Sequence, residues 1–417
     1  MEQPQITLNA ARMQAHIETL ARLTDPDQPY TRRSFTPLYR ESREQVASWM
    51  QEAGLEVSMD QAANLTGRRP GSAGELSPIA IGSHTDTVPS GGRFDGIIGV
   101  VAAIEIARCL NAQGITLRHP LEVIDYLAEE PSEFGLSTIG SRAMAGALSP
   151  DHLRLTDPAG RTLAEGIAEM GGAPERIGEA RRTPGAFALS LELHIEQGPV
   201  LEEAGIPIGI VTGLVGIYRA QITLEGEANH AGTTSMRRRR DALAGTAEVM
   251  LALERLCRAT NGQAVGTAGK IHNVPNASNV IPGRTDLVAE WRSVDPTLLA
   301  SLAERFETQV REIASSRSLT LSYAPLSDAE PVQVPSRIQQ VLMQTCEQLG
   351  LRAHLMPSGA GHDTNHMAAL APAGMVFIPS RGGRSHCSEE WSEMDAIVQG
   401  AQVMGEALLT FDQSQQP

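Results

Sequence analysis

The sequence predicts an α/β catalytic domain built on a mixed sheet and interrupted by a smaller α+β insert. Three observations carry that expectation. Short runs rich in Val, Ile and Leu alternate with helical patterns in the first half of the chain. From about Gly213 the texture shifts to strands that alternate apolar and polar residues, as half-exposed strands do. The α/β alternation then resumes, so residues 1–212 and 329–417 are read as one discontinuous domain and 213–328 as the insert.

Taken in order, "PIAIGSH" reads as a buried strand, "IIGVVAAIEIARCLNAQG" as a helix, "LEVIDYLAEE" as a strand and "STIGSRAMAGAL" as a helix. The polar, Gly- and Pro-containing stretch from Ser149 to Ala186 is a loop-and-helix excursion, and "FALSLELHIEQG" is a further buried strand. Inside the insert, the strand "GIYRAQITLEGEA" precedes a helix from Asp241 to Ala259 and strand-like segments ending in "TDLVAEWRSVD". A second helix from Leu298 to Ser316 and "LTLSYAPLSD" complete a βαββαβ-like order. After it come the helix "SRIQQVLMQTCEQLG", strand "RAHLMPS", helix "HDTNHMAAL", strand "GMVFIPS" and a last helix from Met394.

Composition removes several function classes. At 417 residues with a formal net charge of −15, the chain is large enough for two or three domains and too acidic for a polyanion-binding surface, so no nucleic-acid partner is expected. The one dense basic run, Arg237 to Arg240, precedes a helical pattern and reads either as a solvated helix start or as an anion contact beside an active site. No apolar run approaches the ~20 residues that span a bilayer, and the N-terminus lacks the pattern of a signal peptide. Cys109, Cys257, Cys346 and Cys387 are scattered without metal-ribbon or CxxC spacing. A reducing, cytoplasmic setting without membrane attachment is expected.

In open α/β sheets, functional groups collect beyond the carboxyl ends of the strands. This chain places ionisable residues there repeatedly: His84 and Asp86 after one strand, Glu129 and Glu130 after the next, then His194 and Glu196, and His386 beyond "MVFIPS". Imidazoles and carboxylates without thiolates suit a catalytic zinc, or manganese, cobalt or nickel, and five such groups suffice for two ions. Asp95, between glycines in "GGRFDG", is the candidate bridge between ions roughly 3.5–4 Å apart. Asp86, two residues past His84, is placed to accept that ring's other N–H. Of the adjacent Glu129 and Glu130, one can ligate while the other works as general base and then general acid. The backbone amides of Gly359, Ala360 and Gly361 in "PSGAGHDTNHM" precede a predicted helix start, where an anionic substrate group would bind. The run lacks the Lys and Ser/Thr of a phosphate loop.

Together, "GSHTDTVPSGGRFDG", "AEEPSEFG", "GSRAMAG", "LELHIEQGPVLEEAGIPIGIVTG", "NHAGTTSMRRRRDAL", "PNASNVIPG", "SGAGHD" and "RSHCSEEW" resemble the zinc-dependent amidohydrolases that include N-carbamoyl-L-amino-acid hydrolase, β-ureidopropionase and allantoate amidohydrolase. They belong to the wider aminoacylase and carboxypeptidase superfamily. The resemblance spans nearly the whole chain, and "HIEQG" separates this branch from the peptidases. It implies a dinuclear metallohydrolase domain carrying an inserted lid and dimerisation domain. It also implies two divalent ions per subunit bridged by Asp95, with Glu130 and His386 completing one site and His84 and His194 the other, and with Glu129 as general base. His230 of "ANHAG" would polarise the substrate carbonyl in the active site of a partner subunit, making the homodimer catalytic. Asn279, Arg292 and Gln197, with the "SGAGHD" backbone, would hold the carboxylate of a small substrate. Two departures stand out: "PSEF" puts Glu133 where many relatives have a basic residue, and "HDT" puts Thr364 where many have alanine.

The reaction implied is hydrolysis of a linear C–N amide or ureido bond, with N-carbamoyl amino acids first among substrates. Allantoate is the nearest alternative. An aminoacylase or dipeptidase on the same fold, and a catalytically silent ligand-binding relative, are the remaining ones.

Overall fold

A computed structural model describes residues 6–414, apart from the side chains at 327 and 328. The chain forms two compact units. The first comprises the described residues through Thr212, Val334–Met356 and those from His362 onward; the second comprises Gly213–Gln333 and Pro357–Gly361. The short run Pro357–Gly361, which the sequence reading leaves in the α/β part, clusters with the second unit through bonds such as Val215 N–H to the Ser358 carbonyl, 3.2 Å.

The first unit is an α/β layer structure on a mixed sheet. Its centre is four parallel strands in the spatial order Leu121–Tyr126, Ile79–His84, Leu189–Ile195 and Ala373–Ile378. All are buried along their whole length, which is why they read as continuous apolar runs rather than alternating ones. Antiparallel strands close both sides: Leu65–Arg69 and then Glu56–Met59 beside Leu121–Tyr126, and Ile208–Leu214 beside Ala373–Ile378. The helix Ile97–Ala112 is apolar on nearly every face and almost entirely buried, whereas Ala10–Arg22 and Pro37–Glu52 bury one stripe each.

In the second unit, four long antiparallel strands lie in the order Thr320–Ala329, Gly216–Glu225, Arg284–Ser293 and Ala264–Val274. Helices Ala242–Arg258 and Pro296–Ser316 pack on the sheet around Trp291, Phe306, Leu224 and Leu287. Each helix starts at an aspartate whose carboxylate accepts first-turn amides: Asp241 from Ala244, and Asp295 from Thr297 and Leu298.

Two local expectations change. "HDTNHMAAL" is helical only over Thr364–Met367, because turn bonds carry the chain to Pro372, which has no amide hydrogen to continue a helix. Glu196 does not face the strand-end cluster; its carboxylate accepts the Val200 and Leu201 amides and caps a short helix. Among the described residues no helix is long and apolar enough to cross a membrane.

Candidate metal centre and active site

The carboxyl ends of the four parallel strands gather one cluster, all of it within the first unit. His84 ends its strand, His194 lies one residue before the end of its own, Glu129 and Glu130 follow Tyr126 by three and four residues, and His386 follows Ile378 by eight. Ala128, at φ +50°, turns the chain after its strand so that both glutamates enter the buried cluster. Asp86 secures that turn. Its two carboxylate oxygens accept the amides of Glu129 and Glu130 at 3.1 and 3.2 Å. The His84 ring N–H goes to the main-chain carbonyl of Asp86 (3.1 Å), with the Asp86 carboxylate at 3.6 Å, so the expected orienting bond comes from the same residue but a different atom.

Asp95 is the hub. Its Oδ1 lies 3.0 Å from His194 Nε2 and 3.7 Å from His84 Nε2; its Oδ2 lies 3.1 Å from His386 Nε2, which is 3.2 Å from Glu130 Oε1. Thus His84, Asp95 and His194 form one group able to hold an ion, and Asp95, Glu130 and His386 form another. Hydrogen bonding supports that use. His84 Nδ1 and His194 Nδ1 both face main-chain carbonyls, which only accept, so both donate from Nδ1 and turn Nε2 toward Asp95. An Nε2 facing a carboxylate oxygen calls for a cation there, a proton or a metal ion, and the imidazole and carboxylate donor set fits a divalent pair. Gly96, at φ +68°, leaves the space: a Cβ there would sit 2.3 Å from His84 Nε2.

Charge balance inside the cluster is uneven. Burial disfavours ionised Asp95, but His194, His386 and His84 hold its carboxyl well below the usual range. Burial, reinforced by Glu130, Asp363 and Asp86 and opposed by His84, pushes Glu129 well above it. Hydrogen bonds that the ring gives to Asp95 and Glu130 lift His386 to about 11. Glu129 Oε2 stands 3.7 Å from His84 Nε2 and belongs to neither Asp95-centred group, as suits a carboxyl that exchanges protons rather than ligates.

Gln197, at φ +59°, donates from its side-chain amide to Asp95 Oδ2 (2.8 Å), so in this state it braces the hub. The remaining candidates lie in the second unit. His230 and Asn279 are neighbours there: strand Asn229–His230 pairs with Val280–Ile281, and the Ala231 amide donates to the Asn279 carbonyl (3.0 Å). His230 is exposed, and its Nδ1 accepts the amides of Gly232 (3.0 Å) and Thr233 (3.2 Å). An Nδ1 that accepts leaves the proton on Nε2, which makes the outward nitrogen a hydrogen-bond donor. From the basic run, Arg239 donates to the Ala231 and Thr234 carbonyls and shapes that turn. Arg292 pairs with Glu290 (2.7 Å) and donates to the Gly359 carbonyl (3.1 Å). The Ala360 amide is bonded to Ser358 Oγ, at 3.2 Å.

Several residues of the cluster have no sequence expectation behind them. Glu390, fully buried, accepts the amides of Phe94 (2.8 Å) and Asp95 (3.2 Å) and the hydroxyl of Ser385, which also donates to Asp95 Oδ2. A Cβ on Gly92 would collide with that carboxylate at 2.3 Å. Glu192 accepts from Ser83 Oγ (2.8 Å) and Thr364 Oγ1 (2.6 Å), which gives the unusual threonine a place. His362 packs edge-on to His194, with ring centres 4.5 Å apart, and burial together with His194 holds it well below ordinary imidazole basicity. The other departure, Glu133, is exposed and pairs with Arg33 at 2.9 Å.

A parallel-strand edge that gathers three imidazoles with Asp95 and Glu130 into two groups able to hold an ion is the site of a metal-dependent hydrolase. Residues 80–410 match the Peptidase family M20/M25/M40, and the chain belongs to that family. It is 40% identical over 379 residues (91% of this chain, 92% of the relative) to an N-carbamoyl-L-amino acid amidohydrolase of Geobacillus stearothermophilus. It is 32% identical over 431 residues (96% and 81%) to an allantoate deiminase of Arabidopsis thaliana. Among solved structures, an amidase of the hydantoinase/carbamoylase family from Burkholderia multivorans superposes with a TM-score of 0.87 at 34% identity, covering 98% of each chain.

Proposed function

We propose that this chain hydrolyses the linear ureido C–N bond of an N-carbamoyl amino acid, giving the amino acid, carbon dioxide and ammonia. The observation that carries the chemistry is Asp95: each of its oxygens faces a different ligand group, while Glu129 stands beside them outside both. Similarity to the carbamoyl amino acid amidohydrolase supports the substrate class. His84 and His194 would hold one ion, Glu130 and His386 the other, and Asp95 both. Zinc leads by donor chemistry, with manganese, cobalt and nickel as alternatives. Bound there, a divalent pair supplies Lewis-acid polarisation and makes water nucleophilic near neutral pH.

Glu129 takes the proton of the attacking water and returns it to the leaving nitrogen; its buried position and raised pKa suit both halves of that transfer. The Nε2–H of His230, fixed by two amides on Nδ1, donates to the oxyanion that develops at the carbonyl. Arg292 offers a planar fork to the substrate carboxylate, with Asn279, Gln197 and the Gly359–Gly361 backbone as further contacts. His230 acts in the active site of a second copy of the chain. One of the two outer strands of the second unit's four-stranded sheet, Ala264–Val274, exposes Val265 and Ile271 and pairs on one side only among the described residues, and such an edge supports a homodimer through this unit. Four free cysteines suit a reducing cytoplasm.

Allantoate, also a ureido carboxylate, is a second reading favoured by the allantoate deiminase relative. Ammonia release from a panel of N-carbamoyl amino acids, allantoate, acyl amino acids and dipeptides, run on metal-analysed protein, tests the assignment. Turnover is expected to be highest on carbamoyl substrates; hydrolysis confined to peptides or acyl amides would overturn it.

A further inference from the structure

Outside the metal cluster, the first unit holds a cavity of about 550 Å³ between helix Ala10–Arg22 and the loop that carries Asp95. Its walls include Ile17, Tyr30, Arg93, Phe94 and Trp391. The Arg93 guanidinium carbon lies 4.3 Å from the Trp391 ring centre, 4.9 Å from Tyr30 and 5.4 Å from Phe94. Aromatic faces therefore cover the guanidinium, and its Nε is buried with no hydrogen-bond partner. Arg43, by contrast, spends its guanidinium on the Asp125 carboxylate and on the carbonyls of Ala63 and Asp125. Arg93 has no hydrogen-bond or ion-pair partner among the described residues and lines the cavity, so its outer nitrogens are left for an anion, and a carboxylate meeting the fork edge-on is the complementary group.

We propose that this cavity is a second binding site, for a small organic monocarboxylate with an apolar body of about ring size. Arg93 takes the carboxylate in the plane left open by the stacked rings, and Ile17, Phe94 and Trp391 cover the apolar body. Glu18 and Arg22 on the lining offset one another, so the net charge offered is that of Arg93, which matches one negative charge. The volume falls in the range of small-molecule sites.

Benzoate is the probe, with benzamide as its neutral match, followed by calorimetry and tryptophan fluorescence on the metal-loaded enzyme. Saturable benzoate binding is expected and none of benzamide. Arg93→Gln should weaken it at least about tenfold. Ala21→Phe, which adds bulk to the cavity from its helix wall and leaves the Arg93 side chain in place, should abolish it in a protein of unchanged melting temperature. Arg292→Gln, at the group proposed for the substrate carboxylate, should leave benzoate affinity as it is. Absence of binding, equal binding of benzamide, undiminished binding in both Arg93→Gln and Ala21→Phe, or loss in Arg292→Gln would overturn the proposal.

Discussion

The cluster at the strand ends of the first unit and the His230 turn of the second are built on opposite terms. Around Asp95 every ionisable group but His386 is buried, and nearly every ring nitrogen or carboxylate oxygen is met by another member of the cluster or by an amide. Around His230 only one ring nitrogen is secured, by two local amides, and the other points outward from an exposed residue. The first region offers two buried groups able to hold an ion, with the Glu129 carboxyl beside them. The second leaves one imidazole nitrogen as a donor on an exposed residue, which is the feature the proposed role of His230 uses.

That contrast yields expectations of graded size. The largest concerns the pre-built region: Glu129→Gln should lower kcat about 10³-fold while metal content, measured by elemental analysis, stays at the wild-type level. A parallel loss of metal would make Glu129 a ligand instead. The presented donor comes next: His230→Ala should cost about 10²-fold in kcat, also with full metal content. Third, the supports of Asp95 should show in binding rather than chemistry. Glu390→Gln loses the acceptor for Ser385, and about tenfold weaker metal retention in a chelator titration is expected, with a smaller change in kcat on reloaded protein.

The smallest effect lies far from either region. His16 is stacked on Trp49, with ring centres 3.9 Å apart, and burial, with Arg108 adding to it, lowers its pKa from 6.5 to about 4. Between those values the unfolded chain takes up a proton that the folded one does not, so stability falls as pH falls through that window. His16→Phe keeps the stack and removes the proton site. The melting temperature of the wild type should therefore drop more steeply than that of the variant from pH 6.5 to 4; parallel curves would show that His16 contributes nothing.

The sequence was most legible where burial and function coincide in one strand. "PIAIGSH" and "LSLELHI" are unbroken apolar or small-residue runs that end in imidazole, and the structure buries both strands completely. Other parts were written too faintly. Glu390 sits in "SEEW", indistinguishable from a solvated acidic pair, until the fold brings it 2.8 Å from the Phe94 amide, nearly three hundred residues earlier in the chain. Glu192 did leave a signal: it lies two residues before His194 in a strand, hence on the same face, and a carboxylate inside a fully buried run calls for partners. The strands Glu56–Met59, at the sheet edge, and Leu65–Arg69, beside it, are short and only partly buried, so no hydrophobic pattern announced them. Asp86 meets the His84 ring through its main-chain carbonyl rather than the expected carboxylate, because side-chain spacing does not disclose which main-chain carbonyl a ring will reach.

The claim that the two regions complete one another across a dimer has a direct test. Glu129→Gln and His230→Ala proteins, each strongly impaired alone, are mixed under conditions that exchange subunits, and mixed dimers are isolated by differential tags. If His230 serves the partner's metal centre, each mixed dimer contains one site with an intact Glu129 and an intact His230, and ammonia release from an N-carbamoyl amino acid returns. Mixed dimers no more active than the better of their two parents would contradict the account.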